Sequence, residues 1–273
     1  GVAVFRIDPA TGAWTFVEAC DVIPNPSYIC LDRTQRFLYS GHGDSDEVCA
    51  YARDPQTGKL KLLNKQKTKG DNASTVEVDA SNRWALFSTG PGVALFPIQK
   101  DGSLGPYTDL VVPEGKPGPL RGEQEGTHPH QATFDLTGKF VVVPDKGLDK
   151  IHVFRLDAER GKLVPCDPPF VKARHGVIPR HIAFHSSRPY AYVVNEQEST
   201  VNAYHWDTTR GELKPFQRVS TLPTSFVADN TAAEIAISPS GKFLYASNRG
   251  HDSIVIYSVN AADGTIEPIG WES

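Results

Sequence analysis

The sequence contains no methionine at all, not even an initiator. Together with a shortened internal repeat, this sets up the expectation that residues are missing from the chain as given. Cysteine is scarce: Cys20, Cys30, Cys49 and Cys166 stand far apart, with no C-x-x-C pair among them. That spacing excludes a secreted disulfide scaffold and a zinc ribbon, and it points to reduced thiols in a cytoplasmic protein. Long apolar runs are absent too, Val141-Val142-Val143 being typical, so no transmembrane helix is expected and no signal peptide is read. A net charge of −4 and a pI near 6.1 give no footing for nucleic acid or a membrane surface as partner. No stretch carries a helical period.

What is present is a repeated spacing. A polar residue is followed five positions later by an aromatic in Asp32/Phe37, Asp79/Trp84, Asp135/Phe140, His185/Tyr190 and Ser238/Phe243. A second aromatic comes next, at Tyr51, Phe96, Phe154, Tyr204 and Tyr257, and then a turn glycine at Gly58, Gly102, Gly161, Gly211 and Gly264. The first aromatics lie 47, 56, 50 and 53 residues apart. Phe5 and Gly12 open the chain as half a copy. The second full copy is short, and residues around Ser88-Thr89-Gly90-Pro91 are suspected missing.

Each copy reads as four short strands, and four-stranded antiparallel units at this period are the sequence form of a β-propeller. A β-sandwich array would need about twice the period per unit. The expected fold is therefore all-β: a seven-bladed propeller of four-stranded antiparallel blades, one domain over residues 1–273. Five full repeats and an N-terminal half repeat cannot close seven blades, so part of the ring is expected to be absent from the chain.

In such blades, the start of the first strand and the end of the second lie at one mouth of the channel. Ten residues before the first aromatic stand Ser27, Ser74, His130, Arg180 and Ala233; six after it stand Gly43, Gly90, Lys146, Glu196 and Arg249. The first two copies are bland at both slots. The last three place a histidine, a carboxylate and three cations there together. Arg180 and Arg249 are fixed-charge forks suited to a carboxylate or phosphate. His130 can move a proton near neutral pH, and Glu196 can orient it or act as a second base. No nucleophile elbow or activated cysteine is visible.

Blander readings stand beside these. Arg180 and Glu196 also fit a structural ion pair across neighbouring strands. His128 and His130, two apart on one face, could ligate a metal but lack a third ligand. His181 is expected to point away from Arg180 and pack. Asp149 and Asp252 read as turn caps. Arg121, in the Gly/Pro-rich approach to His130, is a further substrate-binding candidate with Lys146 and His128.

The stretches His128-Pro129-His130, Gly176-Val177-Ile178-Pro179-Arg180-His181, Val194-Asn195-Glu196 and Ser247-Asn248-Arg249-Gly250 resemble the lactonase family of seven-bladed propellers. That family includes propeller-type 6-phosphogluconolactonases and 3-carboxy-cis,cis-muconate lactonising enzymes. The likeness implies an active-site histidine, two arginines and a glutamate at His130, Arg180, Arg249 and Glu196, and a small anionic lactone as substrate. It implies a lactone-handling enzyme; the expected reaction is hydrolysis of 6-phosphogluconolactone by acid–base chemistry without metal or other cofactor, since a muconate enzyme should recruit more cations, and a monomer or weak homo-oligomer is expected. A carboxymuconate cycloisomerase and a non-catalytic binding propeller remain open alternatives.

Overall fold

In a computed structural model, described over residues 1–21, 24–70 and 72–273, the described residues form 22 strands and no helix. Among the described residues there is thus no helix long and apolar enough to cross a membrane. The strands make five four-stranded antiparallel sheets and one two-stranded sheet, the units that the repeat predicts. Two compact units result: Gly1–Val112 with Asp157–Lys162, and Pro113–Leu156 with Leu163–Ser273.

The first unit opens with β1 (Val2–Ile7) paired to β2 (Trp14–Cys20). Its first full sheet is β3 (Pro26–Leu31), β4 (Phe37–His42), β5 (Glu47–Arg53) and β6 (Leu60–Lys67). The second is β7 (Thr75–Val78), β8 (Trp84–Ser88), β9 (Val93–Pro97) and β10 (Asp109–Val111). Tyr39, Val48 and Ala50 pack on Val76, Phe87 and Phe96 in a core between these two sheets. The shortened second copy is accommodated by a tight hairpin: the Thr89 and Gly92 backbones bond each other, with Thr89 N–H donating to Gly92 O at 2.8 Å.

The second unit holds three sheets. They are β11 (Thr133–Phe134), β12 (Phe140–Asp145), β13 (Lys150–Asp157) and β14 (Lys162–Lys172); β15 (Pro179–Phe184), β16 (Tyr190–Asn195), β17 (Thr200–Asp207) and β18 (Glu212–Ser220); and β19 (Thr231–Ile237), β20 (Phe243–Arg249), β21 (Ser253–Val259) and β22 (Ile266–Glu272). Every residue of β12 and β16 is buried, as central strands covered on both faces must be. Phe140, Val142 and Ile151 pack on Ile182, Val193 and Trp206, and Tyr192, Val194 and Tyr204's neighbour Ala203 pack on Ile235, Leu244 and Tyr257.

The recurring spacing has a physical cause. In each full copy the polar residue's N–H donates to the carbonyl of the aromatic five residues on, from Asp32 to Phe37 (2.9 Å) through Ser238 to Phe243 (2.8 Å). Asp32, Asp79 and Asp135 also accept the aromatic's own N–H on a carboxylate oxygen, which closes the turn between first and second strands. Ser238 does the same with its hydroxyl. The turn glycines are all at positive φ, and from Gly102 onward each faces the first aromatic of the preceding copy: Gly211 meets Phe140, and Gly264 meets Tyr190, whereas Gly58 meets Val4.

A second regularity concerns the first strands of three sheets, β3, β15 and β19. The pairing slips by one residue between Pro26 and Tyr28, between Pro179 and His181, and between Ala232 and Ile235. Each is a β-bulge at the slot of Ser27, Arg180 or Ala233. A bulge breaks strict alternation and re-aims side chains.

Candidate active site

Three successive sheets of the second unit send side chains to one place. Lys146 follows β12, Glu196 follows β16, Arg180 sits at the bulge of β15, and Arg249 ends β20. Lys146 Nζ lies 2.7 Å from Glu196 Oε2, Arg180 Nε 3.1 Å from the same oxygen, and Arg249 Nη2 3.0 Å from Oε1. The Arg180 Nε contact is off the hydrogen-bond axis, so it is an ion pair by proximity rather than a hydrogen bond. Lys146 and Glu196 are buried, Arg180 is half-buried and Arg249 is exposed, so the cluster meets solvent on the Arg249 side.

Burial alone would raise the Glu196 carboxyl; the charges of Lys146, Arg180 and Arg249 overcome it and hold the group below the usual carboxylate range. Burial lowers Arg180 from its ordinary value, opposed by Glu196. One carboxylate thus neutralises one of three cations that touch it.

Backbone contacts fix these groups. Glu196 N–H donates to Ile178 O at 2.8 Å, and Ala232 N–H donates to Glu196 O at 2.9 Å, tying the sheets of β15 and β19 at this residue. Arg180 Nη1 donates to Ala233 O at 2.8 Å. The turn that delivers Arg180 passes through Ile178 at φ 59°, a strained region for a β-branched residue. Asp149 holds it there, accepting from Gly176 N–H (2.6 Å) and Ile178 N–H (3.1 Å). Asp149 is thus a turn cap, as the sequence suggests, and Asp252 likewise accepts from Gly250 N–H at 3.1 Å.

His128 and His130 run beside the end of β12: His130 N–H donates to Pro144 O at 3.1 Å and Lys146 N–H to His128 O at 3.0 Å. Their rings stack, with centroids 5.9 Å apart at 19°. Burial lowers both imidazoles, with Lys146 adding to the effect on His128 and Arg180 to that on His130, so both are neutral at neutral pH. Asp145, wholly buried, organises this edge by accepting from Thr127 Oγ1 (2.7 Å), His128 N–H (2.9 Å) and Gly147 N–H (2.9 Å).

The Pro-rich approach is anchored to the same edge, with Gly118 N–H donating to Gly147 O at 2.9 Å and Gln124 Nε2 to Lys146 O at 2.8 Å. Arg121 lies on an exposed turn of that segment and enters none of these contacts.

One expectation is corrected. His181 does not point away to pack: its Nε2 lies 2.9 Å from His130 Nδ1, and its Nδ1 lies 2.9 Å from Glu234 Oε1. The bulge between Pro179 and His181 breaks the alternation on which that expectation rested. His181, Glu234 and Asp145 are the neighbours of the cluster that slot spacing does not select. A histidine beside an arginine at the start of an inner strand was the available signal, masked by the assumption of an even pleat.

Sequence comparison agrees with this architecture. The family model described as "Lactonase, 7-bladed beta-propeller" matches residues 1–273, and the chain belongs to that family. It is 34% identical to a 6-phosphogluconolactonase of Bacillus subtilis (strain 168), over 97% of this chain and 76% of the relative. A 6-phosphogluconolactonase of Formosa agariphila is 33% identical, over 100% of this chain and 78% of the relative. Among solved structures, the periplasmic gluconolactonase PpgL of Pseudomonas aeruginosa superposes with a TM-score of 0.92 at 26% identity, covering 100% of this chain and 79% of that one. The protein is thus a lactonase-family enzyme of the β-propeller type.

Proposed function

We propose that the chain hydrolyses a small anionic sugar lactone, 6-phosphogluconolactone foremost, with His130 as general base and Arg180 and Arg249 as anion clamps. The observation that carries this reading is the convergence of Lys146, Arg180 and Arg249 on the single carboxylate of Glu196, beside a neutral imidazole. Positive charge in contact exceeds the one carboxylate that meets it, which suits a phosphate or a developing oxyanion. A neutral imidazole with a lone pair suits deprotonation of water at neutral pH.

In this reading water attacks the lactone carbonyl carbon while His130 takes its proton. The tetrahedral oxyanion is held by an arginine fork. Collapse breaks the ring C–O bond, and the proton returns to the departing ring oxygen, giving the open hydroxy acid. Glu196 orders the three cations, and its carboxylate is shared among them. Lys146 and His128 line the same edge as substrate contacts. Relatives named 6-phosphogluconolactonase and gluconolactonase favour hydrolysis over cyclisation of a muconate.

The test is hydrolysis of freshly prepared 6-phosphogluconolactone above its spontaneous rate, with Arg249→Ala alongside. Acceleration by the wild type that is lost in the variant supports the assignment. A wild type that fails to accelerate hydrolysis overturns it.

A further inference from the structure

Behind His130 stands a line of polar groups that the hydrolysis reading leaves unused. His130 Nδ1 meets His181 Nε2 at 2.9 Å, and His181 Nδ1 meets Glu234 Oε1 at 2.9 Å. Glu234 is itself tethered. Its N–H donates to Ser247 Oγ (3.0 Å), and its Oε1 accepts from Ile235 N–H (3.0 Å). These contacts sit at the two bulges of β15 and β19, so the irregular backbone is what lets the three side chains meet.

Hydrogen positions follow from the partners. Burial would raise the Glu234 carboxyl, but the hydrogen bonds from His181 and from the Ile235 amide hold it below the usual range, so it is an ionised acceptor. His181 Nδ1, facing a carboxylate, therefore bears the hydrogen. His181 is only 2% exposed, and burial keeps its ring neutral despite Glu234. Its Nε2 is then a lone pair. His130 Nδ1 faces that lone pair and is the donor, which leaves the lone pair of the neutral His130 ring on Nε2.

We propose that Glu234 and His181 are positioning residues that lock His130 into its Nδ1–H tautomer, making Nε2 the atom that takes the proton from the attacking water. This rests on the hydrolysis reading of the same site. As the water O–H bond breaks, the Nε2–H bond forms on His130. The Nδ1 hydrogen remains hydrogen-bonded to His181 or moves onto its Nε2, and Glu234 balances the new positive charge. The facing charges act in both directions. Arg180, Lys146 and the neighbouring His128 oppose an imidazolium at His130, while Glu234 and Glu196 favour one at His181.

The experiment combines imidazole ¹⁵N shifts with kcat and KM across pH, for the wild type, Glu234→Ala and His181→Phe. In the wild type His130 is expected to carry its proton on Nδ1. Both variants should lose that preference, lower kcat by roughly ten- to a hundredfold and leave KM within about twofold. A merely structural role would move neither the tautomer nor the pH profile. Glu234 is partly exposed, so its variant reads out even if His181→Phe folds poorly. An Nε2–H tautomer in the wild type, or an unchanged tautomer and kcat in Glu234→Ala, overturns the proposal. Absence of lactone hydrolysis by the wild type would instead sink the hydrolysis reading, while the tautomer would still decide the relay.

Discussion

Gly211 lies flat against the ring of Phe140: a Cβ built on the glycine would stand 2.5 Å from Phe140 Cε1. The same relationship recurs one sheet later, where a Cβ on Gly264 would stand 2.6 Å from the Tyr190 ring. Both glycines also occupy positive φ, at 71° and 76°. The aromatic and the glycine of the repeat therefore recur as two halves of one contact between neighbouring sheets. Gly211→Ala adds left-handed backbone strain to overpacking against a fully buried ring. A loss of about 2–4 kcal/mol in stability is expected, read from urea midpoints at unchanged slope. A variant as stable as the wild type would remove the steric explanation of the spacing.

Arg249 differs from its partners in being exposed while still 3.0 Å from Glu196. Its removal should therefore leave the fold intact and act on chemistry. Arg249→Ala is expected to lower kcat/KM for an anionic lactone by about a hundredfold, with the thermal midpoint within a few degrees of the wild type. Arg249→Lys should recover only part of the loss, since an ammonium cannot form the planar fork. Full recovery by lysine would reduce the role to that of a point charge.

Glu196 poses the opposite case. It is buried and touches three cations, Lys146 among them at 2.7 Å. Truncation to Ala strands positive charge in a poorly hydrated place, and breaking such a buried pair costs about 3–5 kcal/mol. A variant destabilised by that amount, and raised in thermal midpoint by added inorganic phosphate more than the wild type is, would identify the vacated place as an anion site. Equal response to phosphate in both proteins would argue against it.

The repeat was legible because its cause is local. Asp32 and Phe37 share one turn, and that turn is written in six consecutive positions. His130, Arg180, Glu196 and Arg249 could be singled out because equivalent slots in earlier copies hold Ser27, Ser74, Gly43 and Gly90, so the change of residue type stands out. His181 and Glu234 escaped for a specific reason. Alternation assigns adjacent strand residues to opposite faces, whereas the bulges at Pro179/His181 and Ala232/Ile235 insert an extra residue and defeat that rule. Asp145 escaped differently: besides Thr127 Oγ1 it accepts from the backbone amides of His128, Gly147 and Leu148, and nothing in residue spacing announces such contacts.

Stability should fall in two separate pH windows. Burial depresses His128, His130 and His181 below the ordinary histidine value of 6.5. The unfolded chain then binds protons that the fold refuses. Their contribution is complete above about pH 6.5 and drains away as pH falls through it, at up to about 1.4 kcal/mol per pH unit for each such group. His42, which is also buried and depressed, adds to this slope. Glu196 is lowered from the ordinary 4.5, so its share persists down to about that pH and is lost only below it. Urea midpoints measured from pH 8 to pH 5 should therefore decline before any carboxylate titrates. His181→Phe should flatten that decline by about one group's worth while leaving the steeper loss below pH 4.5 in place. A wild type whose midpoint is level between pH 7 and pH 5 would mean that these imidazoles are not held neutral by the fold.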